Sequence, residues 1–353
     1  MKLTNWVKGK TLSKFGKNRA PFTTRAPAFL GPKIGVTAME ISTFSLESQD
    51  FEEMNQALSA WDHEYQQISP GAFRGSLFHT QIGSLGIFRN RWERAIRYQG
   101  TAPQGTIGLG ITLAQKGDAR WMGQRTGIDD MIVQCTSKEA EYLSTPLWDS
   151  VVFAIPEVDL AKHIADLAHE DPEEVLRTHG VIRMHPRLAA KIREVSLAYL
   201  DAAQRFQEST CEPSPLSEMV ESAVELVAHA LASSQVLPRS QATLRRRREL
   251  VRKAKELSMH GADQPLRVGE LCRALAVSER TLRHAFCDVT GLSPLDYLKI
   301  LRLNRVNRTL READPAELLV KQAAYSNGFT HLGQFSRDYK QLFGESPSQT
   351  LRA

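Results

Sequence analysis

The sequence has few cysteines and no long apolar run. Its four cysteines, Cys135, Cys211, Cys272 and Cys287, form no CxxC pair and lack the spacing of zinc ligands. We therefore expect reduced thiols in a cytoplasmic protein. No stretch approaches the roughly 18 consecutive apolar residues of a membrane-spanning helix, and the N-terminus lacks the apolar core of a secretory signal. These absences indicate a cytoplasmic protein with no membrane partner.

Motifs of common catalytic and cofactor sites are also missing. The chain contains no Gly-rich phosphate loop, no GxSxG elbow and no HExxH. His79 is the only histidine between Gly71 and Ile155, and that segment has no HxH pair. A metal-dependent cupin-like enzyme would need clustered His and Glu ligands there. We predict no catalytic residue, no metal site, no cofactor and no enzymatic activity, with a cupin-like enzyme fused to a second domain as the less favoured alternative.

Positive and negative charges are separated along the chain. Residues 1–36 contain eight Lys and Arg and no acidic residue, whereas residues 37–236 have a net charge of −12. Residues 237–353 contain 21 Lys and Arg against 12 Asp and Glu, a net charge of +9. The first segment is predicted to be a basic, flexible arm. An acidic centre joined to a basic C-terminal third indicates that only the latter meets a polyanion.

Residues 37–235 are predicted to form one domain in two parts. Between residues 71 and 155, short β-type runs alternate with Gly, Asn, Asp and Pro, which predicts a β-barrel-like (cupin-like) part. Residues 156–235 show apolar residues at helical spacing, which predicts helices at 156–170, 185–208 and 215–234. The segment 50–71 is predicted to be one amphipathic helix closed by Pro70 and Gly71. The fold class is therefore α+β.

Several aromatic residues fall within the predicted barrel. Such a barrel can close over a small ligand through aromatic side chains, which here are Trp92, Tyr98, Trp121 and Trp148. Packing of the same residues in an ordinary core is the alternative.

Two stretches in the C-terminal third share one motif. FCDVTGLSP at 286–294 and YKQLFGESP at 339–347 both have an aromatic residue, four residues, Gly, one residue and Ser-Pro. Gly ends a helix most easily because it enters the left-handed conformation at little cost, and Pro suits the first turn of the next helix. Each motif closes a pair of short amphipathic segments separated by a turn, which is typical of a helix-turn-helix.

The domain division follows from these two units. We predict a linker at 236–244 and an all-α domain at 245–353, with helix-turn-helix units at 269–290 and 319–342 and a linking helix between them. Packing and turn geometry are expected to depend on Leu271, Leu282, Phe286, Gly291 and Pro294 in the first unit and on Gly328, Phe329, Phe335, Tyr339, Gly344 and Pro347 in the second. Ser278 and Thr330 correspond at an offset of 52, but Phe286 and Tyr339 differ by 53, so the second turn has one extra residue.

Residues 249–353 resemble the DNA-binding domain of the AraC/XylS family of bacterial transcription regulators. The similarity is strongest in NGFTHLGQFSRDYKQLFGESPSQTLR, and the tail from Leu318 resembles the subgroup related to ethanolamine-utilisation regulators. The resemblance implies an effector and dimerisation domain ahead of the DNA-binding domain. It also implies double-stranded DNA and RNA polymerase as partners, a small-molecule effector, a homodimer and activation of transcription. A repressor, or an architectural DNA-binding protein without a ligand, is the alternative.

The second helix of each unit is expected to enter a major groove with its N-terminal, outward side chains against base edges. The candidate base-reading residues are Arg280, Thr281, Arg283 and His284 in the first unit and Leu332, Gln334 and Arg337 in the second; the family resemblance supports Arg280, Arg283 and His284. A solvent-facing or phosphate-bonded role for His284 remains open. Phosphate contacts are expected from Ser278, Arg302, Thr330, Ser336 and Lys340. Gly333 departs from the polar residue usual in the family, so the second unit is expected to bind more through phosphates than through bases.

Overall fold

The computed structural model describes residues 41–57, 62–136, 138–167, 172–206, 214–233, 241–260 and 267–352. The predicted arm at 1–36, Cys211 and residues 236–240 of the predicted linker lie outside the described residues. The rest of the predicted linker is not a linker, because helix α6 (Gln241–His260) already begins at Gln241.

Two antiparallel sheets form the centre of the N-terminal domain. In spatial order the seven-stranded sheet contains β1 (Ile41–Ser48), β3 (Gly75–Ile82), β4 (Leu85–Trp92), β11 (Trp148–Pro156), β6 (Thr106–Ala114), β9 (Asp130–Gln134) and β12 (Gly180–Arg183). The five-stranded sheet contains β2 (Asp62–Gln67), β5 (Ile96–Thr101), β10 (Ala140–Leu143), β7 (Ala119–Trp121) and β8 (Gln124–Thr126). Neither sheet closes on itself, so the predicted barrel is wrong.

The segment 50–71, predicted to be one helix, contains a short helix followed by a strand. Helix α1 covers only Phe51–Ala57, and β2 then pairs with β5 from Asp62 opposite Thr101 to Gln67 opposite Ile96. Sheet hydrogen bonds and the burial of Tyr65 outweigh the helical spacing of the apolar residues in this segment. A second strand, β12, lies within the segment predicted to be helical and extends the seven-stranded sheet beyond β9.

Helices cover the outer face of the seven-stranded sheet. These are α2 (Glu157–Leu167), α3 (Pro172–Leu176), α4 (Pro186–Phe206) and α5 (Ser214–Ser233), and three of them match the predicted helices. Val151, Phe153 and Ile155 of β11 are fully buried in the same apolar cluster as helical residues such as Leu160. The alternate residues of β11 point to the opposite face of the sheet, towards the five-stranded sheet.

The C-terminal domain is entirely helical. After α6 it contains α7 (Val268–Leu275), α8 (Glu279–Thr290), α9 (Pro294–Glu312), α10 (Val320–Ser326), α11 (Leu332–Phe343) and α12 (Pro347–Arg352). The first half of α9 packs Tyr297 and Leu301 into one apolar cluster with α7 and α8, whereas Leu303 and Leu310 belong to a second cluster with α10 and α11. Helix α9 therefore fixes the two helix pairs relative to each other.

The repeated Ser-Pro motif has the same structure in both places. Gly291 ends α8 and Gly344 ends α11, both in the left-handed conformation with φ values of 77° and 78°. Ser293 then caps α9 by accepting a hydrogen bond from the Asp296 amide at 3.2 Å. Pro347 begins α12 in the same way that Pro294 begins α9.

Candidate nucleic-acid interface

The first helix pair presents a basic, exposed helix end. Ser278 caps α8, and its Oγ accepts a hydrogen bond from the Thr281 amide at 3.1 Å. Leu282 and Phe286 are fully buried, so the other side of α8 carries the exposed residues Arg280, Thr281, Arg283 and His284. Within the described part of the chain, neither Arg280 nor Arg283 forms an ion pair. Ser278 is likewise exposed beside them.

The second helix pair differs by one residue in its turn. The turns themselves correspond at an offset of 52, since Val277 donates to the Cys272 carbonyl and Phe329 to that of Ala324, both at 3.0 Å. The N-cap of α11 is His331, however, and its side chain makes no capping hydrogen bond. The predicted extra residue is therefore present just before α11. Thr330 is exposed ahead of the cap and does not take the capping position that Ser278 takes.

Side chains on α11 bond to one another. Gln334 accepts from the Arg337 guanidinium at 3.0 Å and donates to Asp338 at 2.9 Å. Gln334, Ser336, Arg337 and Lys340 are exposed, and Leu332 is half-buried. For Gln334 to bind another partner, these bonds have to break. Arg280 and Arg283 of α8 have no ion pairs to break within the described part of the chain.

Arg302 on α9 packs against Phe329 in the turn of the second helix pair. Its guanidinium carbon lies 5.2 Å from the centre of the Phe329 ring, a cation–π distance, and Nε donates to the Leu298 carbonyl at 3.4 Å. Burial lowers the pKa of Arg302 from its ordinary value. The structure therefore gives this residue a packing contact in addition to the predicted phosphate contact.

The β-sheet domain contacts α8 and α11 at their C-terminal ends. Arg120 Nε donates to the Asp288 carbonyl near the end of α8 at 3.3 Å, and the Gly71 amide donates to the Gln341 carbonyl near the end of α11 at 3.0 Å. Arg280 and Arg283 lie in the N-terminal half of α8 and Arg337 in that of α11, whereas the exposed Lys340 lies in the C-terminal half of α11. The docking contacts therefore leave Arg280, Arg283 and Arg337 exposed.

A buried hydrogen-bonded pair joins α9 to β2. Asn304, which is 4% exposed, accepts from the Gln67 amide at 3.1 Å and donates to the Gln67 carbonyl at 2.9 Å. The Gln67 side chain in turn donates to the Leu342 carbonyl at 2.5 Å. Arg308 of α9 forms an ion pair with Glu64 at 2.5 Å. The docking is specific because both backbone groups of Gln67 are satisfied by the other domain.

A charged cluster lies beside this pair. Arg97, 1% exposed, donates from Nε to Glu141 at 2.6 Å, and the Tyr297 hydroxyl of α9 donates to the same carboxylate at 3.2 Å. Burial raises the pKa of Glu141, but the charges of Arg97 and Lys255 outweigh burial, so the pKa lies below its ordinary value. Glu141 is therefore an anion held by cations of both domains.

A cavity of about 100 Å³ lies between the two sheets. The structure places Trp92, Tyr98, Trp121 and Trp148, predicted as a ligand pocket, on its wall. Stacking of Trp92 on Trp148, with ring centres 5.6 Å apart, shows that they also pack on one another. Burial raises the pKa of Tyr98 to about 12, so this phenol is protonated at neutral pH.

Strands β2, β5 and β10 separate the cavity from the helical domain. Tyr65, Tyr98 and Tyr142 line the cavity, and the residues directly before each, Glu64, Arg97 and Glu141, bond to or beside the helical domain. This arrangement follows from the alternation of side chains along a strand. Sequence analysis missed Tyr65 and Glu64 because it placed them in a helix, and it missed Asn304 and Gln67 because a single amide in an apolar pattern gives no signal of its partner.

Comparisons with known proteins concern mainly the helical domain. Residues 271–353 match the family model of a helix-turn-helix domain. The chain is 41% identical over 103 residues, 29% of its length, to the probable thc operon regulatory protein of Rhodococcus erythropolis, of which the match covers 31%. It is 32% identical over 82 residues, 23% of its length, to the XylDLEGF operon transcriptional activator of Pseudomonas putida, of which the match covers 26%. The chain thus spans less than a third of these relatives.

A solved structure is similar over more of the chain. The AraC-like transcriptional activator CuxR aligns with 81% of this chain and 100% of its own, at 14% identity and a TM-score of 0.41.

The C-terminal segment therefore contains a DNA-binding helix-turn-helix domain of the kind found in transcription regulators. More particularly, the two relatives are named as operon regulators, one of them as a transcriptional activator. Within the described residues, no helix is both long and apolar enough to cross a membrane, and no three His, Cys, Asp or Glu side chains cluster as metal ligands would.

Proposed function

We propose that the protein is a sequence-specific, DNA-binding transcription regulator of the cytoplasm. The observation that carries this proposal is the exposure of Arg280 and Arg283 on α8 and Arg337 on α11 while the β-sheet domain holds the C-terminal ends of both helices. Positive side chains on an exposed helix end suit both phosphate attraction and base recognition.

Each helix pair acts as one helix-turn-helix unit in this proposal. Helix α8 enters one major groove, where Arg280, Thr281, Arg283 and His284 meet bases and Ser278 meets a phosphate. Helix α11 enters the next, where Leu332, Gln334 and Arg337 meet bases. Thr330, Ser336, Lys340 and the half-exposed Arg302 supply phosphate contacts there. Because α9 packs into both apolar clusters, the two units move as one body and reach groove segments roughly 34 Å apart.

The first unit discriminates between sequences more strongly than the second. Arg280 and Arg283 are free of ion pairs among the described residues and can fork onto guanine, a contact worth about 1–3 kcal/mol. Gln334 and Arg337 must first give up their mutual bond. The second unit therefore serves more as an anchor to the DNA backbone.

The N-terminal domain is the regulatory part of the proposed protein. It binds a small-molecule effector, and its contacts with α9 pass the occupied or empty state to the helical domain. Activation is favoured by the name of the similar XylDLEGF operon transcriptional activator, and RNA polymerase as a partner is part of our proposal. Dimerisation and membership of the ethanolamine-regulator subgroup belong to the same hypothesis. A repressor is the second candidate.

The DNA-binding proposal is tested on a site selected in vitro from random duplexes with the full chain. Arg283→Ala is expected to lose about 5- to 150-fold in affinity and to accept other bases at one position, since one bidentate contact is removed. Lys340→Ala is expected to weaken all sequences equally and reduce the salt dependence by about one ion. The matched control is Arg205→Ala, which removes an exposed arginine from α4. Failure to enrich any sequence, or wild-type affinity of Arg283→Ala, would refute the proposal.

A further inference from the structure

We propose that the cavity between the two sheets binds an uncharged molecule about the size of one ring, with a polar group that both donates and accepts hydrogen bonds. The inference rests on the proposed regulatory role of the N-terminal domain and specifies the chemistry of its ligand. Four properties of the cavity support it: its walls, its unpaired polar atoms, its lack of charge and its size.

The walls are aromatic on both sides. The seven-stranded sheet contributes Trp92 and Trp148, and the five-stranded sheet contributes Tyr65, Tyr98, Trp121 and Tyr142. Aromatic faces prefer offset-stacked or edge-on contact with another flat ring. The walls therefore favour a planar, largely apolar body over a molecule covered with hydroxyl groups.

A row of polar side chains crosses the floor of the cavity. In the strand register Ser150 of β11 lies opposite Asn90 of β4 on one side and Thr112 of β6 on the other, and all three line the cavity. Asn90 and Ser150 are 4% and 1% exposed, yet Asn90 Oδ1 and Ser150 Oγ find no hydrogen-bond partner among the residues that the structure describes. An unpaired buried polar atom is costly, so a ligand that pairs these two atoms gains binding energy without disturbing other bonds.

The lining also contains unpaired donors. Trp121 on the five-stranded sheet and Trp148 on the seven-stranded sheet each have a buried indole Nε1 with no partner among the described residues. Asn90 Oδ1 accepts only, Trp121 Nε1 donates only, and Ser150 Oγ can do either. A hydroxyl or amide group on the ligand matches this set because it carries both functions.

The described residues around the cavity include no Asp, Glu, Lys or Arg, and the charged residues of β5 and β10 point instead towards the helical domain. His63 is the titratable imidazole of the lining, and its ring lies against those of Tyr65 and Tyr98, with ring centres 4.7 and 5.9 Å away. An ammonium group placed here would lose its hydration without gaining a counter-charge, and a carboxylate would find no Lys or Arg to pair with. We therefore expect a neutral ligand.

The volume sets the size. About 100 Å³ is far more than the 10–15 Å³ that one water needs, and it approaches the roughly 150 Å³ of an apolar cavity known to hold benzene. Gly110 on β6 lines this space, and a Cβ added there would meet Ile132 at 3.5 Å, which is ordinary contact. Gly110→Ala therefore reduces the cavity with no clash that would unfold the sheet.

The test compares three probes, phenol, toluene and benzoate, on the purified full chain. Quenching of tryptophan fluorescence reports binding because Trp92, Trp121 and Trp148 line the cavity. Phenol is expected to bind more tightly than toluene, which has the same size but no polar group, and benzoate is expected not to bind. Tightest binding by benzoate, equal affinities for phenol and toluene, or no binding of phenol would each overturn the inference.

Two variants locate the binding. Ser150→Ala is expected to weaken phenol about twofold to tenfold, the value of one neutral hydrogen bond, and to leave toluene unchanged. Gly110→Ala is expected to weaken both probes. Unchanged titrations in both variants would place the ligand elsewhere and refute the assignment. The titrations contain no DNA. Their result therefore tests the ligand inference independently of the DNA-binding proposal.

Discussion

Replacing Asn304 by Ala should loosen the contact between the two domains without unfolding either one. The Asn304 side chain bonds to both the amide and the carbonyl of Gln67, and it also donates to the Ile300 carbonyl of its own helix at 2.9 Å. Ala is a better helix former than Asn, so α9 itself is not weakened. The loss therefore falls on the interface.

The magnitude follows from the groups left behind. In the docked arrangement Asn304→Ala leaves the Gln67 amide and carbonyl without their partners on α9. Each of these two groups costs about 1–3 kcal/mol when it is left unpaired, and the cost of one group alone corresponds to about 5- to 150-fold in the docking equilibrium, which we take as the lower estimate. The neighbouring ion pairs of Arg308 with Glu64 and of Arg311 with Asp50 are partly exposed and compensate little.

Hydrogen exchange at the Gly71 amide measures this opening, because that amide donates to the Gln341 carbonyl across the same interface and keeps its partner in the variant. In Asn304→Ala its exchange should accelerate by about 5- to 150-fold, while amides in the centre of the seven-stranded sheet keep their protection. Glu312→Ala is the matched control, since Glu312 is an exposed residue near the end of the same helix. Exchange at Gly71 that is the same in wild type and Asn304→Ala would refute the reasoning.

Two further predictions concern the same interface. Gly344→Ala should destabilise the protein more than Gly291→Ala. Both substitutions force Ala into the left-handed conformation, at a cost of about 1–2 kcal/mol. The new Cβ at 344 would also lie 2.6 Å from the backbone nitrogen of Ala72, whereas the new Cβ at 291 would meet the movable end of the Arg120 side chain, at 2.9 Å. Thermal unfolding of the two variants side by side tests this, and equal losses would contradict it. Glu141→Gln should make the free energy of unfolding depend less on pH in the acidic range. Folding lowers the pKa of the Glu141 carboxyl, so its charge stabilises the wild type above the ordinary pKa of about 4.3. That contribution is lost as the pH falls through the lower pKa of the folded state. Urea midpoints at several pH values measure the slope, and a wild-type slope in Glu141→Gln would show that the ion pair with Arg97 does not carry it.

The helical domain was largely predictable from the sequence. Its signals are local: Ser278 at a helix start, Gly291 and Gly344 at helix ends, and Pro294 and Pro347 just after a serine all act within one turn of the chain. Even the extra residue before α11 follows from comparing the two copies. The left-handed conformation of Ala276, with a φ of 51°, was not predicted. The second copy has Gly328 at this point of the turn, but an alanine gives no such signal in the sequence.

The sheet domain was predicted less well because its determinants are distant in sequence. The segment containing Tyr65 has helical spacing, and only its pairing with β5, more than 30 residues away, makes it a strand. Whether two sheets close into a barrel depends on the pairing of their edge strands and on the strand register, which no single segment encodes. The aromatic residues Trp92, Trp121 and Trp148 were identifiable as a group, but Asn90 and Ser150 become meaningful only when the strand register places them side by side.

The five-stranded sheet is the physical link between the proposed ligand and the proposed DNA-binding surface. Along β5 the Tyr98 ring faces the cavity, and the adjacent Arg97 holds Glu141, which in turn accepts from Tyr297 of α9. Because protein interiors are close-packed, a ligand that displaces the ring also shifts its neighbour on the same backbone. Such a ligand changes the docking only if it binds one arrangement of the sheet more tightly than the other. The sheet is one layer thick, so the side chains that would contact the ligand and those that contact α9 belong to consecutive residues. A shift of Tyr98 on ligand binding would therefore reach Tyr297 through Arg97 and Glu141, with no other layer between them.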